Sequence, residues 1–189
     1  MTGTPASYFE ELWADSDDPW EHASRFYEAR KYDLTVSALL RPRYRRAFEP
    51  ACGVGLLTER LAGRVDRLEA RDKFPRAVTE TRRRVHDLSH VGVEVGDLLA
   101  ATPEGPFDLV VISEVLYYFE ADQVRVIGDH IGRIAEVAAT MVTVHYRRPV
   151  AEHALSGDEV HEIVADWPGW DRRGGYVDDD FRLDVWTKR

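Results

Sequence analysis

The length, composition and charge of this chain exclude several classes of protein before any motif is considered. Its 189 residues, 44% of them hydrophobic, suffice for one domain with one core and leave little room for a second. The formal net charge of −9 argues against a broad nucleic-acid surface, because phosphate binding depends on clustered lysine and arginine. A single cysteine cannot form an internal disulfide, and no apolar run is long enough for a membrane span or a signal peptide. We therefore expect a cytoplasmic protein that acts on a small or positively charged molecule and binds neither nucleic acid nor membrane.

The first forty residues have a helical pattern that is rich in aromatic side chains. An apolar patch over residues 8–13 predicts one helix, and Asp18-Pro19 predicts the start of a second one that runs through residues 20–40. The second helix carries more aromatic surface than two packing helices need. Its rings either cover the sheet or form a lid over a ligand.

A glycine-containing turn follows the first predicted strand, residues 44–49. The strand ends in an acidic residue, Glu49, and the chain then passes through Gly53 and Gly55 into an amphipathic helix. A Cβ at either glycine would block a tight turn or the close approach of backbone N–H groups to a ligand. Dinucleotide-binding loops expect a third glycine where Thr58 stands, which counts against NAD. The pattern predicts a nucleotide-binding turn of another kind, or only a tight connection.

The second predicted strand, residues 67–72, ends at Asp72. An acid at this position can accept both hydroxyls of a ribose, a role that NAD and S-adenosylmethionine sites share. The alternative is that Asp72 only forms a turn or caps a helix. The strand alternates apolar and charged residues, which is unusual for a strand that is buried on both faces. A helix is predicted to follow over residues 75–86.

The remaining elements complete a regular alternation of strands and helices. In chain order they are a strand at 91–95, a strand at 107–113, a helix at 122–138, a strand at 141–145, a helix at 156–165, a glycine-containing loop around 168–175 and a last strand at 181–187. This alternation predicts a doubly wound parallel sheet with right-handed crossovers, in which ligands bind beyond the carboxyl ends of the strands. The side chains at those ends are Glu49, Asp72, Asp97 and Ser113.

At this point the chain resembles a known family. The run EPACGVG resembles the first motif of class I S-adenosylmethionine-dependent methyltransferases, E/D-x-G-x-G-x-G, with Ala51 in place of the first glycine. The segments VEVGDLL and FDLVVISEVLYYF resemble the family's third strand with its acid, and its fourth strand with the loop beyond it. Within this superfamily the chain is similar to the nodulation S-type (NodS-like) group, which N-methylates an amino sugar of a lipo-chitooligosaccharide. The similar segments, from DDPWEHASRFYEARKYDLTVSALL to FRLDVWTKR, span nearly the whole chain.

The resemblance implies an α/β fold with a doubly wound, mostly parallel, seven-stranded Rossmann-like sheet whose last strand is antiparallel. It implies one methyltransferase domain, with residues 1–40 as an N-terminal helical lid and residues 41–189 as the Rossmann-like core. The implied cofactor is S-adenosyl-L-methionine. No metal site is predicted, because cysteine and histidine are sparse.

Roles for the cofactor-binding residues follow from the resemblance and from the strand ends. Glu49 would order the glycine turn and help to hold the methionine amine, Asp72 would take the ribose hydroxyls, and Asp97 would accept from the adenine amino group. Apolar walls would come from Phe74 and Leu98. From the lid, Tyr27, Lys31 and Tyr32 would lie near the site. The complete predicted cofactor set is Tyr32, Glu49, Gly53, Gly55, Asp72, Phe74, Asp97, Leu98 and Ser113.

The methyl acceptor should enter where the fourth and fifth strands end. The candidates there are Glu114, Tyr117, Tyr118, His145 and His153, of which Glu114, Tyr117 and His145 are the predicted catalytic residues. Each of them also has a purely structural interpretation. The fourth strand is not followed by an Asn/Asp-Pro-Pro-Tyr run, which counts against DNA-base and protein-amide acceptors. The leading hypothesis is N-methylation of a small-molecule amine, such as an amino sugar or an aminated natural product. The alternatives are a small-molecule O-methyltransferase and an inactive cofactor-binding module.

Overall fold

Seven strands and six α-helices alternate along the chain in the computed structural model, which describes residues 3–100 and 102–189. Met1 and Thr2, the first residues of the predicted lid, lie outside the described part. The strands are β1 (Tyr44–Pro50), β2 (Val65–Asp72), β3 (Val91–Val95), β4 (Phe107–Ser113), β5 (Ala135–Tyr146), β6 (Trp170–Val177) and β7 (Phe181–Lys188). The helices are α1 (Ala6–Asp15), α2 (Phe26–Ser37), α3 (Leu56–Ala62), α4 (Pro75–Arg84), α5 (Ala121–Ile134) and α6 (Gly157–Ala165), with a short 3-10 helix at Leu116–Tyr118.

The strands form one sheet in the order β3-β2-β1-β4-β5-β7-β6. The pairs among β1 to β5 are parallel, and β7 runs antiparallel to both of its neighbours. This arrangement confirms the predicted fold class. The strand order changes direction between β1 and β4, and ligands bind beside such a switch point, at the carboxyl ends of the strands.

Apolar layers lie on both faces of the sheet. One core cluster joins the sheet to α5 and α6, and a second joins it to α2 and α3. The central strand β4 is buried along almost its entire length, as its continuous apolar run predicts. The rigid centre of the fold therefore places the ends of β1 and β4 side by side.

The charged pattern of β2 has a simple explanation in the sheet. Leu68 and Ala70 on one face are fully buried. On the other face Glu69 pairs with Arg46 on β1 at 3.2 Å and with Arg71 on its own strand at 2.8 Å. The strand is thus buried on one face and covered by ion pairs on the other, and the alternation follows from this difference.

The main departures from the predicted elements lie in three places. Residues 20–25 are turns rather than helix, because both carboxylate oxygens of Asp18 accept backbone N–H groups and close a loop before α2. The helix predicted to reach residue 138 ends at Ile134, and β5 begins at once with an irregular stretch in which Ala138 has a φ of +63°.

The third error is a missed strand, β6, in the segment predicted to be a loop. Gly175 in this strand pairs with β7, and a Cβ there would lie 2.4 Å from the carbonyl oxygen of Leu183. The glycine therefore permits close pairing of the two strands and does not form a turn. Within the described residues, no helix has the length and apolarity needed to cross a bilayer.

Candidate active site

A cavity of about 830 Å³ lies at the carboxyl ends of the strands. Side chains from the ends of β1, β2 and β4 line its floor, and side chains from α1, α2 and the turn between them line another wall. A volume of this size suits a small-molecule ligand or cofactor. The predicted residues on its wall are Tyr27, Tyr32, Glu49, Gly53, Asp72, Phe74, Asp97, Leu98, Ser113, Glu114, Tyr117, Tyr118 and His153.

The turn after β1 adopts an unusual backbone conformation. Ala51, Gly53 and Gly55 all have positive φ, at +56°, +56° and +79°. Ala51 therefore adopts the left-handed conformation although it has a Cβ. A Cβ on Gly53 would meet no atom within 4 Å, so the backbone at this point lies open to the cavity.

Asp72 organises this turn from the next strand. Its Oδ2 accepts the N–H of Gly53 at 3.0 Å, and its Oδ1 accepts the N–H of Phe74 at 2.9 Å. Burial raises the pKa of Asp72, and the backbone hydrogen bonds oppose this effect. The carboxylate is only 7% exposed and lines the cavity, so it can hold the turn and still offer lone pairs to a ligand.

Gly55 has a different role from the predicted one. It does not belong to the cavity wall among the described residues. It precedes α3, and a Cβ there would lie 2.9 to 3.0 Å from atoms of Thr81 on α4. The glycine therefore lets two helices pack closely, and its predicted approach to the ligand is corrected.

We expect the Gly55→Ala substitution to lower the free energy of unfolding by about 2–3 kcal/mol, because it adds a steric contact to left-handed strain of about 1–2 kcal/mol. Denaturant unfolding measures this change. Gly132→Ala is the matched control, since a Cβ at Gly132 in α5 meets no atom within 4 Å and should leave stability equal or higher. Equal stability of the Gly55→Ala and wild-type proteins would contradict the packing role.

Two strand-end side chains on the cavity wall each carry a buried polar atom that has no hydrogen-bond partner among the described residues. These atoms are Oε2 of Glu49, at the end of β1, and Oγ of Ser113, at the end of β4. Glu49 is 2% exposed, and burial raises its pKa to about 8. Buried polar groups normally have partners, so these atoms indicate a polar ligand at this end of the cavity.

Asp97 lies beyond β3 and is paired with a lysine that sequence reasoning missed. Its Oδ1 accepts the N–H of Leu99 at 2.9 Å, and Oδ2 lies 3.0 Å from the Nζ of Lys73. Burial alone would raise the pKa of Asp97, but the hydrogen bonds from Lys73 and Leu99 outweigh it and lower the pKa. The only feature of the sequence that could have placed Lys73 near the site is its position directly after Asp72. Phe74 and Leu98 also line the cavity.

Glu114, directly after β4, is held in place from three directions. Its φ of +56° is uncommon for a residue with a side chain. Its Oε1 lies 2.9 Å from the Nζ of Lys31, and its Oε2 accepts the hydroxyl of Tyr117 and, at 3.2 Å, the N–H of Tyr146. Lys31 is 1% exposed and lies 2.9 Å from Glu28 as well. Two carboxylates therefore share one buried ammonium.

Aromatic rings surround this carboxylate. Tyr117 stacks on His153 with ring centroids 3.8 Å apart, and Tyr118 meets His153 edge-on at 5.0 Å. The hydroxyl of Tyr27 on α2 is buried and has no partner within the described part of the chain. Tyr32 lines the cavity and also packs in the core cluster under α2. This ring therefore both covers the sheet and faces the cavity, the two alternatives that the sequence left open.

His145 requires a correction. The side chain is fully buried and is not part of the cavity wall in the described residues. One ring nitrogen accepts the N–H of Leu116 at 3.3 Å, and the other lies 3.2 Å from a ring nitrogen of His161. Both nitrogens are occupied, so this imidazole cannot reach an acceptor as predicted. It lies behind Tyr117, with ring centroids 5.5 Å apart.

The N-terminal segment closes the other side of the cavity. Phe9 on α1 contacts Phe74 and Tyr118 with ring centroids 5.2 Å and 4.8 Å away. Arg76 on α4 binds the carboxylate of Asp17 at 2.6 Å and the carbonyl oxygen of Trp13 at 2.5 Å. Sequence reasoning noted the aromatic patch but did not assign Phe9 or Trp13 to the site.

The strand order, the turn after β1 and the carboxylates after β1, β2 and β3 are those of the fold of class I S-adenosylmethionine-dependent methyltransferases. The comparisons with known proteins agree with this class. The family model for Nodulation protein S (NodS) matches residues 9–145, so the chain belongs to the NodS family.

Individual relatives give the extent of the similarity. Nodulation protein S of Sinorhizobium fredii strain NGR234 is 36% identical over 106 residues, which are 56% of this chain and 49% of that protein. The chain spans about half the length of the curated relatives it matches. A solved structure from Pseudomonas syringae, provisionally described as a methyltransferase, is 35% identical, covers 87% of this chain and 100% of its own, and has a TM-score of 0.78.

A second solved structure supports the fold. It is the N-methyltransferase NodS from Bradyrhizobium japonicum WM9 in complex with S-adenosylhomocysteine, at 24% identity and a TM-score of 0.83. The match covers 96% of this chain and 97% of that one. The donor set of the cavity fits the cofactor of this class: an open backbone turn, the unpartnered atoms of Glu49 and Ser113, and carboxylates at Asp72 and Asp97.

Proposed function

We propose that this protein transfers a methyl group from S-adenosylmethionine to the amine of a small molecule. The observation that carries the proposal is the carboxylate of Glu114, held by Lys31 and Tyr117 at the end of β4 and ringed by aromatic side chains. A strained backbone at a cavity wall is typical of functional residues. Carboxylates and aromatic faces both attract cations, and an alkylammonium acceptor is one.

The cofactor would be held by groups from three strand ends. Glu49 would accept hydrogen bonds from the amino group of the methionine part, Asp72 from the ribose hydroxyls and Asp97 from the adenine amino group, while the turn at Gly53 would offer backbone close to the ligand. All four residues line the cavity. When bound, the sulfonium supplies an electrophilic methyl carbon. The protein's own contribution is to orient the two reactants in a pocket without bulk water, which is worth about 7–11 kcal/mol for well-aligned groups.

The acceptor amine must lose a proton to expose its lone pair. Glu28, Lys31 and Glu114 form a cluster with two carboxylates and one ammonium, so the cluster carries one negative charge when all three are ionised. This charge favours the approach of an ammonium, and Glu114 can accept its N–H and orient the nitrogen. An amino sugar, whose amine loses a proton near neutral pH, is the acceptor class that we propose.

The N-terminal segment acts as a lid in this proposal. Its aromatic residues line the cavity opposite the strand ends, and Arg76 ties it to α4 through Asp17 and Trp13. Exclusion of water strengthens every electrostatic contact inside the site.

The proposal is tested by incubating the protein with methyl-labelled S-adenosylmethionine and with matched acceptors. Glucosamine and a short chitosan oligomer supply a free amine, and glucose and the fully N-acetylated oligomer supply only hydroxyls and amides. We expect label on nitrogen, located by mass spectrometry, from the first pair alone. Methylation only at oxygen would replace the proposal with the O-methyltransferase hypothesis. Binding of S-adenosylhomocysteine by calorimetry without methylation of any acceptor would support the inactive cofactor-binding module instead.

We also expect cofactor binding to release a proton from Glu49. With a pKa of about 8, this carboxyl is largely protonated at pH 7, and a neighbouring ammonium favours the ionised form. Calorimetry of S-adenosylhomocysteine binding in buffers of different ionisation enthalpy should show up to one proton released. Glu49→Gln should release none, and an equal release from both proteins would contradict the assignment.

The raised pKa of Glu49 also determines how the free energy of unfolding changes with pH. The ordinary pKa is 4.5 and the folded value about 8, so the folded protein binds more protons than the unfolded chain between these values. The stabilising contribution is complete below pH 4.5 and is lost as the pH rises through 8. Bound cofactor should reduce this loss.

A further inference from the structure

Three buried polar side chains behind the acceptor side of the cavity form a continuous hydrogen-bonded chain. His145 on β5, His161 on α6 and Asp184 on β7 are each 0% exposed. Nδ1 of His161 lies 2.6 Å from Oδ2 of Asp184, and Nε2 of His161 lies 3.2 Å from Nδ1 of His145. Nε2 of His145 accepts the backbone N–H of Leu116 at 3.3 Å. None of the three is needed to hold the cofactor in the proposal above.

The two ends of the chain determine where its protons lie. An ionised carboxylate only accepts, so Nδ1 of His161 carries a hydrogen. A backbone N–H only donates, so Nε2 of His145 carries none. With neutral rings, Nδ1 of His145 then donates to Nε2 of His161, and every contact pairs one donor with one acceptor. A second proton on His161 would force a donor against a donor at one of these contacts.

The surroundings keep the rings neutral and the carboxylate charged. Burial lowers the pKa of His145 and of His161, although Asp184 opposes the effect at His161. Burial alone would raise the pKa of Asp184, but hydrogen bonds from His161 and Arg172 and the charge of Arg182 hold it at about 2. The Nε atoms of these two arginines lie 2.6 Å and 2.8 Å from its oxygens.

The chain ends at the segment that carries the acceptor residues. Leu116 is the first residue of the 3-10 helix, and Tyr117 follows with its hydroxyl on Glu114. The ring of His145 also supports the ring of Tyr117 edge-on. The position of the amide at 116 therefore sets the place from which Tyr117 holds the carboxylate.

We propose that His145 is a positioning residue: the chain from Asp184 through His161 and His145 anchors the Leu116 amide and so aligns Tyr117 and Glu114. Its effect on methyl transfer rests on the proposed function, whereas the chain itself does not. His145 would thus serve the reaction without touching the acceptor.

A matched pair of substitutions distinguishes the hydrogen bond from His145 to the Leu116 amide from the mere volume of the His145 side chain. In His145→Gln the side-chain oxygen can reach the position of Nε2 and accept the Leu116 N–H. In His145→Asn the amide nitrogen replaces Nδ1 toward His161, but no atom reaches Leu116. We expect His145→Asn to lower kcat at least tenfold with little change in KM or in the Kd for S-adenosylhomocysteine, and His145→Gln to stay within about threefold of wild type. Equal losses in both variants would overturn the proposal.

Two measurements do not depend on any activity. Amide hydrogen exchange at Leu116 should be at least tenfold faster in His145→Asn than in His145→Gln, with amides of β4 unchanged as a check on folding. In the wild-type protein, nitrogen-15 spectra of the imidazoles at pH 7 should show hydrogen on Nδ1 of both His145 and His161. Hydrogen on Nε2 of either ring would refute the chain. These results stand even where no amine is methylated, so failure of the chain and failure of the proposed function are distinguishable.

Discussion

Replacing Asp72 with asparagine should weaken the binding of S-adenosylhomocysteine about 100-fold or more. The carboxylate accepts the N–H groups of Gly53 and Phe74 and lines the cavity, and in the proposed complex it also accepts two ribose hydroxyls. The asparagine amide keeps one accepting oxygen, but its NH₂ group is a donor and faces the N–H of either Gly53 or Phe74, which also donates. Hydrogen bonds to a charged group contribute about 1.5–3 kcal/mol each, so loss of one or two gives this magnitude.

Calorimetric titration measures the affinity, and denaturant unfolding shows whether the turn still folds. Asp66→Asn is the matched control, because Asp66 lies at the opposite end of β2 and pairs with Arg43 on the surface. We expect that variant to bind as the wild type does. Unchanged affinity in Asp72→Asn would show that Asp72 is only a turn former, the alternative that the sequence left open.

The largest expected effect on turnover comes from Glu114→Gln. A group that takes or orients the acceptor proton typically contributes about 10²–10⁴-fold to the rate, and we expect kcat to fall within this range. The Kd for S-adenosylhomocysteine should change little, because the cofactor contacts that we propose lie at Glu49, Asp72 and Asp97. Lys31 retains Glu28 as a partner in this variant, so its buried charge is not left alone.

Glu162→Gln, an exposed substitution on α6, is the control for the removal of one charge. Steady-state kinetics with a free-amine acceptor and calorimetry with S-adenosylhomocysteine give the two constants. A parallel loss of cofactor affinity would indicate that Glu114 supports the fold of the whole cavity, and an unchanged kcat would remove it from the acceptor site.

Local sequence patterns were enough to predict the strands whose composition reflects their burial. The apolar run of β4 predicts a central strand, and Glu49, Asp72 and Ser113 fall at strand ends as expected. Glycines were less informative. Gly53 leaves backbone open to the cavity, Gly55 admits a neighbouring helix, and Gly175 admits a neighbouring strand. The same residue type serves three needs, and only the packed neighbours distinguish them.

By itself, the sequence determined the alternation of strands and helices, the acidic strand ends and the resemblance to one family, because each depends on residues close together in the chain. Only the tertiary structure decided that Lys31 lies between Glu28 and Glu114, that Lys73 pairs with Asp97, and that His145 faces His161 rather than the cavity. The physical reason is that burial and pairing of charged groups arise between elements that are distant in sequence, and periodicity carries no information about which side chains meet there.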